Sequence, residues 1–319
     1  IRALWKEEVQ TITLKELWGV RAWQLDHPQA QLQRAKMTHK QLKVRIAHRL
    51  QDFLFLPYKV MAEPAVRCIY SKYVDAYNMH EEFEDLQKDD LHQYWFALAK
   101  IFEENQNVTS LLGMGRKRII RLDPGLAPVF DQFLTRFFVS RMGTHLVGSA
   151  FFQQASMPPG AKKPAGVAMG VLQPTCPATL LRGLVDSFGA DNPNEQKVEV
   201  EVEGNLDTTI LYIPGHLRGI LREVLYNAMR ESGRHSQALQ VPPPVKVRIN
   251  HGQLGVCVVI SDEAGGITDM ENVWKWGEDS SIVSQEAPET EDEWQDPEAL
   301  AKAELHPKRT MQLPFGFGL

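Results

Sequence analysis

Cysteine, long apolar runs and an excess of charge of either sign are all scarce in this sequence. Its 319 residues include three cysteines without paired spacing, which indicates a reducing compartment and argues against zinc. No apolar run reaches the ~18 residues that a membrane-spanning helix needs. The formal net charge is −5, from 35 basic and 40 acidic side chains, so nothing indicates a nucleic-acid partner. We therefore expect a globular protein with no membrane span and no nucleic-acid partner.

The length of the chain favours two domains, since single domains commonly contain 100 to 200 residues. The sequence starts at Ile1 without Met and shows no basic, apolar presequence, and it stops inside a Gly-rich stretch at Leu319. We expect that segments are missing at both ends.

The first half of the chain shows the apolar periodicity of helices. Four segments have apolar residues at three- and four-residue spacing, namely 42–54, 66–77, 94–102 and 127–152. Because short connections join them, they predict an antiparallel four-helix bundle over residues 1–156. A basic, Pro- and Gly-rich stretch follows, and it predicts an interdomain linker over 157–166.

The second half alternates between strand and helix patterns, which predicts an α/β sandwich over 167–319. Strands are predicted at 197–203 and 208–213, a β-hairpin at 245–261, and helices at 177–188 and from Pro214 onward. An acidic and then basic stretch usually forms a solvated loop. Its position between two Gly-rich motifs also suggests a lid over 277–314.

Two polar motifs indicate a nucleotide site in this second half. Glu223, Asn227 and Arg230 are spaced i, i+4 and i+7, so they share one helix face. Asp262 follows an apolar strand-like run and precedes Gly265 and Gly266. An Asn amide can bind Mg²⁺, an Asp can accept from an adenine amino group, and Gly loops let backbone N–H groups approach phosphates.

The chain also resembles a known family at five patches in the same order. Residues 223–230, 262–267 and 316–319 resemble the N, G1 and G2 boxes of the ATPase/kinase superfamily that includes gyrase, Hsp90, histidine kinases and MutL. Together with the ending Phe-Gly-Phe-Gly-Leu and residues 140–145, they are similar to mitochondrial α-ketoacid dehydrogenase kinases. The Arg-Ile-Ala-His-Arg stretch at 45–49 is most similar to the branched-chain member.

The resemblance implies a four-helix bundle joined to a GHKL-type ATP-binding α/β sandwich, truncated here at its C-terminus. It implies a mitochondrial-matrix protein serine/threonine kinase that uses ATP and Mg²⁺. Its target would be a serine of the E1α subunit of a branched-chain or pyruvate dehydrogenase complex, which phosphorylation inactivates. The bundle would dock on the lipoyl domain of the E2 core, and the protein would form a homodimer.

The resemblance also assigns roles to individual residues. Asn227 would bind Mg²⁺, Glu223 would act as general base, and Arg230 would reach phosphate or pair with an acid. Asp262 would accept from adenine, while Gly265 and Gly266 pass beneath it. The remaining nucleotide contacts would come from Ser280, Ser281, Phe315, Gly316, Phe317, Gly318 and Leu319.

Four positions depart from the family pattern, and they support an alternative function. Gly219 replaces a His found in some members, Tyr226 a Lys, and Ala264 and Pro314 the first Gly of their loops. The alternative is a catalytically impaired regulatory relative that binds a lipoyl domain. A histidine kinase is a third interpretation, disfavoured because no conventional His box precedes the ATPase half. His48 lies on an Arg-flanked helix with one apolar face and is expected to be structural.

Overall fold

The computed structural model describes two compact parts of this protein. One lies within Ile1–Ala168 and the other within Met169–Trp274, and Trp276 belongs with the first. The residues described are 1–11, 13, 28–155, 157–162, 164, 172–191, 197–235, 241–267, 270 and 276. Among them, no helix is both long and apolar enough to cross a membrane.

The regular secondary structure described in the first unit is helical. Its helices are α1 Pro28–Leu54, α2 Tyr58–Met61, α3 Pro64–Glu82, α4 Leu91–Glu104, α5 Val108–Leu122 and α6 Ala127–Gln154. All four segments with helical periodicity are helical, as predicted, whereas α5 is a helix that the sequence did not predict. Proline stands at the first turn of α3 and of α6, where its missing N–H would have no helical partner.

Helix α5 was missed because its buried side is not an apolar stripe. Gly113, Gly115 and Arg116 are all buried there, together with apolar side chains. A Cβ built at Gly115 would lie 3.5 Å from Ala65 Cβ, an ordinary van der Waals distance, so α3 passes close to α5 at this position. Arg116 is paired through Nε with Asp131 Oδ1 of α6 at 2.7 Å.

Two aromatic clusters form the core of the helical unit. Phe53 of α1 lies 5.0 Å from Phe133 of α6, measured between ring centroids. Tyr94 and Trp95 of α4 pack with Phe151 and Phe152 near the end of α6. Trp276 stacks on α6, and its Nε1 donates to Thr135 Oγ1 at 3.0 Å.

The first ten residues are held against α1 by polar contacts. Trp5 Nε1 donates to the Ala47 carbonyl at 3.1 Å, and Arg45 Nη2 donates to the Gln10 carbonyl at 2.8 Å. His48 Nε2 lies 2.9 Å from the Glu7 carbonyl oxygen, which requires a proton on that nitrogen. His48 is therefore a structural residue that fastens the N-terminal segment, as the sequence predicted.

The described residues of the second unit form two helices and two small sheets. Its elements are β1 Gln173–Thr175, α7 Pro177–Asp191, β2 Val200–Gly204, β3 Ile210–Tyr212, α8 Pro214–His235, β4 Val245–Gly252 and β5 Gly255–Ser261. Strands β1 and β3 form an antiparallel pair. The other sheet has the order β2-β4-β5, with β2 parallel and β5 antiparallel to β4.

One face of the three-stranded sheet is buried, and α8 contacts strands β4 and β5. Val245, Val247 and Ile249 of β4 are completely buried, whereas Lys246 and Arg248 between them are exposed. This alternation follows the two-residue period of a strand. The predicted hairpin is confirmed, with β4 and β5 in register from Lys246–Ser261 to Gly252–Gly255.

Candidate nucleotide-binding site

Helix α8 carries the first polar motif and is anchored by its apolar side. Pro214 opens the helix, and Leu221, Leu225 and Met229 are buried. Their i, i+4, i+8 spacing forms one apolar stripe, and α8 contacts α7 as well as the sheet. The Glu223, Asn227 and Arg230 side chains lie away from the centre of this stripe.

Tyr226 packs at the edge of the buried side of α8. It is 3% exposed, its hydroxyl donates to the Leu184 carbonyl at 3.3 Å, and its ring lies 4.7 Å from that of Phe188. Leu184 and Phe188 belong to α7. Tyr226 therefore joins the two helices. At the position where the family pattern has a lysine, this chain has a buried tyrosine that packs against α7.

Glu223 forms an ion pair with the residue beside it, Arg222. Arg222 donates to the same oxygen, Glu223 Oε1, from Nη2 at 2.6 Å and from Nε at 3.1 Å. The Glu223 side chain is 20% exposed, and that of Arg222 is 29% exposed. The sequence did not predict this pair, because successive helix residues generally do not face each other.

Asn227 is exposed one turn after Glu223, and Arg230 is half-buried further along the same face. The structure thus brings the three predicted residues together on an accessible side of α8. A surface amide oxygen is a ligand that Mg²⁺ accepts, usually beside phosphate oxygens and water. The donor set on this helix therefore fits a metal that a nucleotide brings with it.

The second motif forms a tight turn directly after β5. Asp262 Oδ1 accepts a hydrogen bond from the Ala264 backbone N–H at 3.0 Å. Gly265 and Gly266 have φ values of +97° and +78°, which glycine adopts without steric cost. No other residue type in the described segments has a positive φ, so Ala264 fits this loop without that strain.

The Asp262 carboxylate therefore stabilises its own loop, and Asp262 remains exposed. Only Oδ1 takes part in the turn, and a carboxylate oxygen pair has room for further donors. The predicted residues Ser280, Ser281, Phe315, Gly316, Phe317, Gly318 and Leu319 lie outside the described residues, as do Pro314 and the predicted lid.

Comparisons with known proteins find similarity to mitochondrial kinases. A family model described as mitochondrial branched-chain alpha-ketoacid dehydrogenase kinase matches residues 11–155. Pyruvate dehydrogenase (acetyl-transferring) kinase isozyme 1, mitochondrial, of Mus musculus is 24% identical over 246 residues, which cover 72% of this chain and 56% of that protein. Isozyme 4 of the same organism is 25% identical, with coverage of 72% and 58%.

A plant relative shows the same level of similarity. The mitochondrial pyruvate dehydrogenase (acetyl-transferring) kinase of Arabidopsis thaliana is 23% identical over 238 residues, or 73% of this chain and 64% of that protein. The chain thus spans less than two thirds of the length of each of these relatives. The matched family model and these relatives thus show that the chain is similar to mitochondrial α-ketoacid dehydrogenase kinases.

Proposed function

We infer that this chain is a mitochondrial protein serine/threonine kinase of the α-ketoacid dehydrogenase type. It transfers the γ-phosphate of ATP to a serine of the E1α subunit and thereby inactivates the complex. The matched relatives are named as mitochondrial pyruvate dehydrogenase kinases, whereas the family model is named for the branched-chain complex. Either complex is therefore a candidate target, and the matrix is the expected compartment.

The observation that carries this proposal is the polar face of α8. The helix is fixed by its apolar stripe, so it presents Glu223, Asn227 and Arg230 on a rigid support. The same helix contacts β5, the strand that leads into the Asp262 turn with its two positive-φ glycines. Both motifs thus lie in one compact unit that consists of helices on a sheet.

Phosphoryl transfer depends mainly on positioning and on neutralising charge. In the proposed site, Asn227 binds the Mg²⁺ that ATP carries, and Glu223 accepts the proton of the substrate hydroxyl. Asp262 accepts from the adenine amino group through the oxygen that the turn does not use. Gly265 and Gly266 leave open space beside the loop, since a Cβ at either position would meet no atom of the described residues within 4 Å.

The finer architecture and the partners belong to the same proposal. The helical unit is proposed to be a four-helix bundle over residues 1–156, which docks on a lipoyl domain of the E2 core. The second unit is proposed to be a GHKL-type ATP-binding sandwich over 167–319, reached through a linker at 157–166. A homodimer is the proposed oligomer.

Titration calorimetry with Mg·ATP and the full-length protein tests the nucleotide site. Asn227→Ala removes the proposed metal ligand and is expected to abolish Mg²⁺-dependent ATP binding. Asn250→Ala is the matched control, because Asn250 is an exposed asparagine on β4 of the same unit. Equal ATP affinity in the Asn227→Ala variant and the control contradicts the proposed site.

A second candidate function is a regulatory relative that docks on the complex without catalysis. Tyr226 favours it, because a buried tyrosine that donates to the Leu184 carbonyl stands where the family pattern has a lysine. Incorporation of labelled phosphate into purified E1α separates the two functions. The kinase is expected to label E1α, and Glu223→Gln to bind ATP without labelling. No labelling by the wild-type protein, with ATP binding intact, favours the regulatory relative.

A further inference from the structure

The Arg222–Glu223 pair has a geometry that leaves one carboxylate oxygen unused. Both guanidinium donors, Nε at 3.1 Å and Nη2 at 2.6 Å, reach Oε1. Two donors on one oxygen restrict rotation of the carboxylate, and charge-assisted bonds of this kind are stronger than neutral ones. The pair is also partly buried, so solvent screens it less than a fully exposed pair. Because Oε1 is held, the second carboxylate oxygen of Glu223, Oε2, points in a fixed direction.

The helix offers Glu223 no other support from the preceding turn. The residue four positions earlier, Gly219, has no side chain, and a Cβ built there would meet no atom of the part of the chain that the structure describes within 4 Å. Among the described residues, the donors to the Glu223 carboxylate both come from Arg222. A carboxylate on a flexible side chain reacts efficiently as a base only when its orientation is held.

We propose that Arg222 is a positioning residue that holds Oε1 of Glu223 so that Oε2 accepts the substrate hydroxyl proton. This inference rests on the proposed function. In the step, the hydroxyl oxygen bonds to the γ-phosphorus while the bond from that phosphorus to the β,γ-bridging oxygen breaks. The hydroxyl proton moves to Glu223 Oε2, and ADP leaves. Arg222 itself touches neither the substrate nor the nucleotide.

Steady-state phosphorylation of E1α by the full-length protein tests the role. Arg222→Ala is expected to lower kcat at least about tenfold while the KM for ATP changes less than about twofold, because orientation and not binding is lost. Arg222→Lys keeps a cation with a hydrogen-bond donor and is expected to retain an intermediate kcat. Arg218→Ala is the matched control, since Arg218 lies one turn away on α8 and its Nη2 contacts Ser187 Oγ at 3.4 Å.

A second substitution distinguishes orientation from folding. Gly219→His, added to Arg222→Ala, places an imidazole donor at i−4 of Glu223, where the structure leaves space. Partial recovery of kcat in this double variant supports the inference. The inference is overturned if Arg222→Ala keeps the wild-type kcat, or if Arg218→Ala lowers kcat as much. Circular dichroism and ATP calorimetry verify that each variant is folded.

Nuclear magnetic resonance of arginine Nε–H groups provides a readout that needs no kinase activity. The Arg222 signal, identified by its loss in Arg222→Lys, is expected to exchange slowly with solvent and to shift in Glu223→Ala. A signal that Glu223→Ala leaves unchanged overturns the inference. A wild-type protein that labels no E1α overturns the proposed function instead, and the resonance then decides whether Arg222 holds Glu223.

Discussion

Acidification is expected to destabilise the helical unit through two histidines, one buried and one half-buried, that stay neutral in the folded protein. His80 of α3 is completely buried, and neither of its ring nitrogens has a hydrogen-bond partner among the described residues. Burial lowers the pKa of His80 well below its usual value, and His39 and Lys43 nearby lower it further. Burial, and secondarily Arg141, lower the pKa of His145 to about 3.

The sign of the effect follows from the proton balance. An unfolded histidine has a pKa near 6.5, so below that pH the unfolded chain binds protons that the folded chain does not. The free energy of unfolding therefore falls as the pH falls, by about 1.4 kcal/mol per pH unit for each such residue. Between pH 7.5 and pH 5, His80 and His145 each contribute a loss of about 2 kcal/mol. Together they remove a large part of a typical stability of about 5–15 kcal/mol.

The test compares the pH dependence of wild type with that of His80→Phe. Phenylalanine keeps an aromatic ring beside His39 and Tyr94, whose ring centroids lie 5.1 Å and 6.1 Å away, and it removes two buried nitrogens. The variant is expected to be as stable as wild type at pH 7.5 and to lose about 2 kcal/mol less on acidification to pH 5. Urea unfolding followed by far-ultraviolet circular dichroism measures both.

The exposed His92 supplies the control, because His92→Phe removes an imidazole from α4 without changing the buried cluster. The His39 hydrogen bond to the backbone carbonyl of residue 80 persists in the His80→Phe variant, since it does not involve the substituted side chain. Equal loss of stability in wild type and His80→Phe between pH 7.5 and pH 5 refutes the argument from burial.

Three further predictions concern single substitutions. Asp262→Asn keeps one side-chain oxygen that can accept from the Ala264 N–H, but it can replace the other acceptor with an NH₂ donor. We therefore expect an intact turn and ATP binding that is at least about tenfold weaker by calorimetry. Unchanged ATP affinity excludes Asp262 from adenine recognition. Asp131→Ala removes the carboxylate that binds the buried Arg116 guanidinium through Nε at 2.7 Å and Nη2 at 3.0 Å. We expect the free energy of unfolding, measured in urea, to fall by about 3–5 kcal/mol. A fall below about 1 kcal/mol contradicts this prediction. Gly204→Ala is expected to lower the free energy of unfolding by at least about 2 kcal/mol, because Gly204 has φ +98° and an added Cβ would lie 2.2 Å from the Ile249 carbonyl oxygen. A thermal midpoint equal to that of wild type contradicts this prediction.

Elements whose burial follows a simple period could be predicted from the sequence. Helices α1, α3, α4 and α6 have recurring apolar positions, and the β4–β5 hairpin alternates buried and exposed residues. Helix α5 and strand β1 lack such a signal. The buried side of α5 includes glycine and a paired arginine, and the three residues of β1, Gln173–Thr175, gain their conformation by pairing with β3. Both elements are determined by tertiary contacts, which local patterns do not encode.

The residues of the candidate site show the same difference between features set by local geometry and features set by tertiary contacts. The common face of Glu223, Asn227 and Arg230 follows from helix geometry alone, and Gly265 and Gly266 have the positive φ values that glycine favours. The Arg222–Glu223 pair could not be inferred, because it depends on how two adjacent side chains bend toward each other at a partly buried surface. Tyr226 likewise took its role from α7, to which it donates a hydrogen bond.

Asp262 shows that a structural and a functional interpretation of one residue need not compete. Its Oδ1 accepts from Ala264 N–H, so the carboxylate already helps to shape the turn in the absence of any ligand. The same bond restricts the rotation of the carboxylate and thereby orients Oδ2, which is the oxygen proposed for adenine. A side chain that is held before the ligand arrives loses less conformational entropy on binding. The turn that the Asp262 carboxylate stabilises therefore favours the recognition proposed for it.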